Sequence, residues 1–189
     1  MSYFPTRDVL GKYTHSSHPR SPVSLAADGV LIPDLVSLTP EARQVLAACR
    51  STGGRPLIVG GSVRDGLYSK LHSVQVDFKD IDIEVHGAMP EDVLDAIPGK
   101  KGVYGAEFGV INTRLGGQDF DIAPPRRDNK IGVGYRGFEV ELDPDMGFDE
   151  AFARRDVTVN AMGWDPETGE LIDPFGGRAD LEAGVLRHT

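Results

Sequence analysis

The segment Asp80-Ile81-Asp82-Ile83-Glu84-Val85 carries the clearest structural signal in the sequence. Acidic and apolar residues alternate in it with a period of two, which predicts a β-strand with one face in a core and an acidic face opposite. Asp80 and Asp82 would then project from one rigid strand about 7 Å apart. A solvated acidic face is the simpler interpretation of an isolated Asp-x-Asp pattern, so the surrounding sequence has to decide between the two.

A third acid lies further along the chain, in Phe120-Asp121-Ile122. On a strand next to the first, Asp121 would complete a cluster of three carboxylates, whose mutual repulsion divalent cations relieve. Two-metal phosphoryl transfer requires such a cluster, with the ions about 4 Å apart. We therefore predict Asp80, Asp82 and Asp121 as catalytic residues, and a two-metal Mg²⁺ site with Asp80 and Asp82 as ligands.

A glycine turn precedes the acidic strand, in Val59-Gly60-Gly61-Ser62-Val63-Arg64-Asp65. Glycine lets the backbone approach a ligand closely, and the start of the following helix offers N–H groups to a phosphate. No Gly-Lys-Ser/Thr follows, so this is not a Walker A loop. The turn predicts a nucleotide-binding site formed by Gly60, Gly61, Ser62 and Arg64. The alternatives are a plain turn and, for Arg64, a salt bridge with Asp65 or a neighbouring acid.

A basic segment follows the acidic strands, in Arg154-Arg155-Asp156-Val157-Thr158-Val159-Asn160. It places two arginines, an aspartate and an asparagine within two predicted helical turns. Arginine binds phosphate oxygens, while Asp and Asn can fix ribose hydroxyls, so Arg154, Arg155, Asp156 and Asn160 are predicted nucleotide-binding residues. A charged helix start on the surface would explain the same residues.

The remaining chain alternates short strands with helices. Thr39-Pro40 predicts the N-cap and first residue of a helix, and Gly116-Gly117 predicts a hairpin. Residues 124–138 are predicted as a loop, 148–161 as helical, 165–169 as a hairpin turn and 179–184 as a short helix. The fold class is therefore α/β, a small domain with a mixed sheet flanked by helices.

Composition limits the domain organisation and the partners. The net charge of −9 over 189 residues argues against a general polyanion-binding surface, so RNA or NTPs would bind through local arginine clusters. Residues 1–38 lack apolar periodicity, which predicts a flexible or loosely docked arm before a domain over 39–189. The single Cys49 and the lack of any signal-like or membrane-spanning stretch predict a cytoplasmic protein with no membrane partner.

Seven segments taken in order resemble the head domain of the class II tRNA nucleotidyltransferase (CCA-adding enzyme) and bacterial poly(A) polymerase family, within the polymerase-beta-like superfamily. The resemblance covers residues 56–189 almost continuously. Its segments are GGSVRDGL at 60–67, KDIDIEV at 79–85, EFGVI at 107–111, FDIAPPRRDNK at 120–130, GVGYRGFEVE at 132–141, RRDVTVNAM at 154–162 and DPFGGRADLEAGVLRHT at 173–189.

This resemblance implies a role for each matching position. Asp80 and Asp82 match the family's metal-binding carboxylates and Asp121 matches its third acid. Gly61 and Arg64 match nucleotide-contacting positions and Arg155 matches a triphosphate-contacting arginine, while ribose recognition is implied for Arg154, Asp156 and Asn160. Residues 126–137 look like the family's flexible loop, with the cations Arg126, Arg127, Lys130 and Arg136.

The implied activity is metal-dependent transfer of nucleoside monophosphates from CTP or ATP to the 3' end of RNA, with tRNA CCA-end synthesis or repair as the expected reaction. Alternatives are a nucleotidyltransferase with a different acceptor and a non-catalytic head that acts as a binding or regulatory module. Pro124, Pro125 and Asn129 depart from the family pattern in the loop. The family's neck, body and tail do not follow, which predicts a fragment or a short form that borrows those functions from a partner chain.

Overall fold

A computed structural model describes residues 30–104, 109–130 and 138–189, which contain the following strands and helices. The strands are β1 (Val30–Leu31), β2 (Arg55–Val59), β3 (Asp80–His86), β4 (Lys100–Tyr104), β5 (Val110–Leu115), β6 (Gln118–Ala123), β7 (Arg126–Lys130), β8 (Phe138–Leu142), β9 (Gly163–Trp164) and β10 (Glu170–Ile172). The helices are α1 (Pro40–Ser51), α2 (Gly61–His72), α3 (Pro90–Ala96), α4 (Phe148–Ala153), α5 (Gly177–Ala183) and a 3₁₀ helix, Thr158–Asn160.

Strand β3 lies in the middle of the main sheet, whose strand order is β1-β10-β9-β2-β3-β6-β5-β4. It pairs antiparallel with β2, where Ile83 lies opposite Ile58, and parallel with β6, where Ile83 lies opposite Ile122. Strands β7 and β8 form a separate antiparallel pair. The parallel pairing of β3 and β6 makes the sheet mixed, which confirms the predicted fold class.

The apolar face of β3 forms part of the main core. Ile81, Ile83 and Val85 are each no more than 2% exposed and pack in one cluster with Leu46 of α1 and Phe120 of β6. The period of two therefore predicted the buried face correctly. No helix within the described residues has the length and apolar character to cross a membrane.

Local signals fixed several element boundaries. The Thr39 hydroxyl accepts a hydrogen bond from the Ala42 N–H at 3.1 Å, and Pro40 is the first residue of α1, as predicted. The hairpin of β5 and β6 turns at Gly116 and Gly117, both with positive φ. The hairpin of β9 and β10 turns over residues 165–169, also as predicted.

Residues 30–38 differ from the predicted arm, since the part of that arm which the structure describes packs on the domain. Strand β1 pairs with β10, and Leu35 and Val36 are buried in the main core. Gly66 of α2 makes room for this segment, because a Cβ there would lie 2.6 Å from the Leu35 carbonyl oxygen. The spacing of the apolar residues in 30–38 is irregular, so no periodicity marked them as core. The rest of the predicted arm, residues 1–29, lies outside the described residues.

Two further predictions need correction. Residues 126–130 were expected in a loop but form β7, because β8 provides an antiparallel partner for them. The helix expected over 148–161 breaks after Ala153. Val157 is extended and bridges to His188, and the Thr158 N–H donates to the Arg187 carbonyl at 2.9 Å, so this segment pairs with the end of the chain instead of continuing α4.

Replacement of Leu35 by alanine tests whether residues 30–38 belong to the domain. Leu35 is 3% exposed, so Leu35→Ala should lower the free energy of unfolding by about 2–5 kcal/mol, measured by urea denaturation. Leu31→Ala is the matched control, because Leu31 is 66% exposed and its loss should cost within about 0.5 kcal/mol. Equal effects of the two changes would show that this segment does not contribute to the core.

Candidate active site

Four carboxylates lie in two opposed pairs on β3 and β6. The parallel register places Asp80 opposite Asp119 and Asp82 opposite Asp121. Partners in register share a face of the sheet, so all four carboxylates lie on the face opposite the core. The structure thus brings the three predicted acids together and adds Asp119, which the sequence prediction missed although it alternates with Asp121 in the same strand.

The pKa of Asp82 shows that the carboxylates on β3 and β6 repel one another. Burial raises the pKa of Asp82 above its ordinary value, the charges of Asp121 and Asp80 raise it further, and Arg155 lowers it. Asp119 is partly neutralised by Arg114 at 3.4 Å. The amide nitrogen of Asn112 on β5 donates a hydrogen bond to Asp121. Asp82 and Asp121 therefore form a carboxylate pair with an unrelieved repulsion that a cation would reduce.

The donor set of this pair suits a hard cation. In residues 30–104, 109–130 and 138–189, no group of three or more His, Cys, Asp or Glu side chains is arranged so that it could hold a metal ion. Mg²⁺ does not need one, because it commonly binds one or two protein carboxylates and completes its shell with water and substrate phosphates. Asp82 and Asp121 supply oxygen donors of that kind.

The glycine turn lies directly beside the carboxylates. Gly60 has a φ of +68°, and a Cβ there would lie 3.0 Å from Arg155 Nη1 and 3.8 Å from Asp82 Oδ2. Its N–H donates to the Met162 carbonyl at 3.1 Å. Glycine is required at residue 60 both for the left-handed backbone and for the close approach of Arg155.

Helix α2 begins at this turn, with Gly60 as its N-cap and no side-chain cap on its first N–H groups. Ser62 donates from its hydroxyl to the Asp80 carbonyl at 3.3 Å, which ties the start of α2 to the start of β3. The first turn of α2, with Gly61 at its first position, is therefore held next to the acidic strand. This is where the sequence predicted a phosphate site.

A hydrogen-bonded network joins α2 to the basic segment. Arg64 donates from Nη1 to Asn160 Oδ1 at 2.8 Å and from Nε to Asp65 Oδ1 at 2.8 Å. Asn160 in turn donates from Nδ2 to Asp156 Oδ1 at 3.3 Å. That hydrogen bond and the Val157 N–H lower the pKa of Asp156. The salt bridge between Arg64 and Asp65 that the sequence left open is present, together with a contact to the predicted ribose-binding residues.

Arg154 and Arg155 converge on a buried acid. Glu84 is 2% exposed, and its Oε2 lies 3.2 Å from Arg154 Nη2 and 3.6 Å from Arg155 Nη2. The guanidinium of Arg155 also stacks over the ring of Phe152, 5.6 Å from its centroid. The carboxylates, the glycine turn and the basic segment therefore meet at one place, where Arg155 lies beside Gly60 and close enough to Asp82 to lower its pKa.

Residues 57–187 match the family described as the poly A polymerase head domain. The chain belongs to this family. Among curated relatives, the head domain is 44% identical over 130 residues to the multifunctional CCA protein of Nitrosomonas europaea, and this match covers 69% of the chain and 29% of that protein. It is 43% identical over 132 residues to the CCA-adding enzyme of Marinobacter nauticus, covering 70% of the chain and 32% of that protein.

Solved structures show the same similarity. The head domain matches the Bacillus stearothermophilus CCA-adding enzyme in complex with CTP, with a TM-score of 0.61 and 27% identity, over 80% of this chain and 34% of that one. It matches the Thermotoga maritima CCA-adding enzyme complexed with tRNA-CCA, with a TM-score of 0.57 and 29% identity, over 80% of this chain and 33% of that one. The chain thus spans about a third of the length of these proteins.

The predicted flexible-loop cations are only partly within the described part of the head domain. Arg126 and Lys130 are the first and last residues of β7, and Arg136 lies outside the described residues. Arg127 pairs with Asp143 at 2.9 Å and with Glu150, and the hydrogen bond that Arg127 donates to Glu150 raises the pKa of Arg127. Arg127 would have to leave these two acids before it could bind a phosphate.

Replacement of Asp82 by asparagine tests the repulsion in the carboxylate group. The pKa of Asp82 is raised in the folded state, so the stability it contributes is present below its ordinary value of 3.8 and is lost as the pH rises through the raised value. At pH 7 in EDTA, Asp82→Asn should therefore raise the free energy of unfolding, and this gain should shrink as the pH falls toward 3.8.

Urea denaturation at several pH values measures this difference. Asp77→Asn is the control, because Asp77 is an exposed acid in the segment before β3 and lies outside the group of four. It should change the free energy of unfolding by less than about 0.5 kcal/mol at each pH. A loss of stability in Asp82→Asn at pH 7 would contradict the electrostatic description.

Proposed function

We propose that this head domain transfers nucleoside monophosphates from CTP or ATP to the 3' end of RNA, with a tRNA that lacks part of its CCA end as the acceptor. The observation that carries the proposal is the position of the Asp82 and Asp121 pair, beside both Gly60 and Arg155. A paired carboxylate site next to a cationic phosphate site is what nucleotidyl transfer needs. The names of the relatives support it, since they are CCA-adding proteins.

The triphosphate would bind at the junction of the glycine turn and Arg155. Gly60 leaves the backbone open, α2 begins there without a side-chain cap, and the Arg155 guanidinium lies directly beside the turn. Backbone N–H groups at a helix start and an arginine fork both favour phosphate oxygens. Asp156 and Asn160 would bind the ribose hydroxyls, and Arg64, already hydrogen-bonded to Asn160, would orient them.

The carboxylates would hold Mg²⁺, with Asp80 and Asp82 as ligands and Asp121 as the third acid. Bound there, Mg²⁺ would favour ionisation of the attacking 3' hydroxyl and offset the charge of the departing pyrophosphate. The protein's own contribution is rigidity, because the acids project from two paired strands whose opposite face is buried in the core. Arg155 would balance the negative charge of the triphosphate on the other side.

The proposed function extends to the macromolecules that this chain binds and to its location in the cell. Because the chain spans about a third of the length of its relatives, its RNA surface and its choice of base are proposed to depend on further segments or on a partner chain. Its own charge of −9 is unfavourable for binding a whole tRNA. We propose that the protein is cytoplasmic, which agrees with tRNA as its acceptor.

Replacement of Asp82 by alanine tests the proposed activity. Wild-type protein with labelled CTP or ATP, Mg²⁺ and a tRNA lacking its 3' end should incorporate label, and Asp82→Ala should reduce the rate by more than about 100-fold while circular dichroism stays unchanged. Asp92→Ala is the control, because α3 packs on the opposite face of the sheet and Asp92 is exposed. Equal rates for wild-type and Asp82→Ala would rule out the carboxylate assignment.

The same assay separates the alternatives. Incorporation into other RNA ends but not into tRNA would indicate a different acceptor. Binding of CTP without incorporation into any RNA would indicate a nucleotide-binding module that lacks transferase activity. Both outcomes would contradict the proposed tRNA reaction.

A further inference from the structure

Glu84 is an acid that the proposed reaction does not use. It lies on the same face of β3 as Asp80 and Asp82. Those two side chains still reach solvent, although the surrounding protein partly desolvates Asp82, whereas Glu84 is 2% exposed. A carboxylate this deeply buried is costly unless it is paired and hydrogen-bonded. The groups that pair with it therefore indicate why it is there.

Glu84 is held between three groups that can carry positive charge. Its Oε1 lies 3.1 Å from His86 Nε2, while its Oε2 lies 3.2 Å from Arg154 Nη2 and 3.6 Å from Arg155 Nη2. Burial alone would raise the pKa of Glu84, but the hydrogen bond from His86 and the charges of His86, Arg155 and Arg154 outweigh it and lower the pKa. Glu84 is thus a buried carboxylate ion.

His86 is itself fixed in one orientation. Its Nδ1 lies 3.2 Å from the Met146 carbonyl oxygen, and its ring meets the ring of Phe148 edge-on, with centroids 4.8 Å apart. The Met146 carbonyl oxygen and the Glu84 carboxylate both only accept, so His86 donates from Nδ1 to the first and from Nε2 to the second. The Glu84 carboxylate is therefore held on one side by a ring that cannot turn away.

Arg155 depends on Glu84 for its position. Within the described part of the chain, Arg155 Nε is buried without a hydrogen-bond partner, so no polar contact at Nε fixes the side chain. Its Nη1 lies next to Gly60, and its Nη2 lies on the Glu84 side. The ion pair with Glu84 and the stacking on Phe152 hold the guanidinium at the glycine turn.

Glu84 alone does not neutralise the two arginines that it faces. Burial and the charge of Arg154 lower the pKa of Arg155, while the charges of Glu84, Asp82 and Asp156 raise it. Arg155 Nη1 lies at the Gly60 side, where a phosphate group could accept hydrogen bonds from the guanidinium. Glu84 therefore fixes the two arginines without using up their capacity to bind an anion.

We propose that Glu84 is a positioning residue that holds the Arg155 guanidinium beside Gly60, and that it thereby sets the affinity for the β- and γ-phosphates of the nucleotide without touching the nucleotide itself. This inference rests on the proposed function, since it takes the site at Gly60 and Arg155 to be the triphosphate site. It assigns a role to a residue pair, Glu84 and Arg155, that are 71 positions apart and meet only in the folded chain.

The test compares binding of CTP and CMP to the wild-type chain and to Glu84→Gln by calorimetry, with Mg²⁺ and without RNA. The substitution keeps the shape of the side chain and removes its charge, so the preference for CTP over CMP should fall at least about tenfold. Binding of CMP should change less than about twofold, because its ribose contacts at Asn160 and Asp156 do not involve Glu84.

Glu170→Gln is the matched control. Glu170 also pairs with an arginine within the sheet, Arg55, at 2.6 Å, but it does not contact Arg155. A loss of stability alone should affect both variants, whereas the loss of preference for CTP should occur only in Glu84→Gln. If Glu84→Gln does not fold, Glu84→Asp keeps the charge on a shorter side chain and should show a smaller fall in the same preference.

The outcomes separate the two proposals. A wild-type chain that binds CTP no more tightly than CMP would overturn the triphosphate site and with it the proposed function. A wild-type preference for CTP that is retained within about twofold, or increased, in folded Glu84→Gln would overturn the positioning role alone. If only Glu84→Asp folds, a preference that does not fall in it would overturn that role.

Discussion

The parallel pairing of β3 with β6 is the constraint on which the rest of the structure depends. It sets Ile83 beside Ile122 in the core and, on the other face, sets Asp82 beside Asp121. This one strand register thus produces both the buried apolar face of the sheet and its charged face. The charged face carries a cost, because repulsion and burial together raise the pKa of Asp82. A site that concentrates like charges in this way is poised to bind cations.

The arginines balance this acidic face from the neighbouring segment. Arg155 lies between Glu84 and Asp82, and its proximity lowers the pKa of each. Glycine at residue 60 favours this arrangement, because its φ is +68° and a Cβ there would crowd Arg155 Nη1 at 3.0 Å. The glycine turn therefore serves the electrostatics of the site as much as the path of the backbone.

The segment that carries the arginines is held by the end of the chain. The Thr158 N–H donates to the Arg187 carbonyl at 2.9 Å, and Asp180 accepts hydrogen bonds from both the Thr158 hydroxyl and the Arg187 guanidinium. Helix α5 packs so closely that a Cβ at Gly177 would lie 2.1 Å from the Thr158 carbonyl oxygen. The arginines of the candidate active site thus lie on a short irregular segment that distant residues fix in place.

The sequence by itself predicted the features that depend on neighbouring residues. These are the alternation in β3, the cap at Thr39 and the turn at Gly116. Strand period, capping and turn geometry each act over a few positions, so a local pattern is enough to predict them. The sequence also pointed to most of the residues that the fold brings together. Only the tertiary structure decided the burial of Glu84 by Arg154, 70 positions away, the break in the helix after Ala153 and the docking of residues 30–38. These features depend on contacts between segments far apart in the chain, and no local pattern encodes which segments will meet.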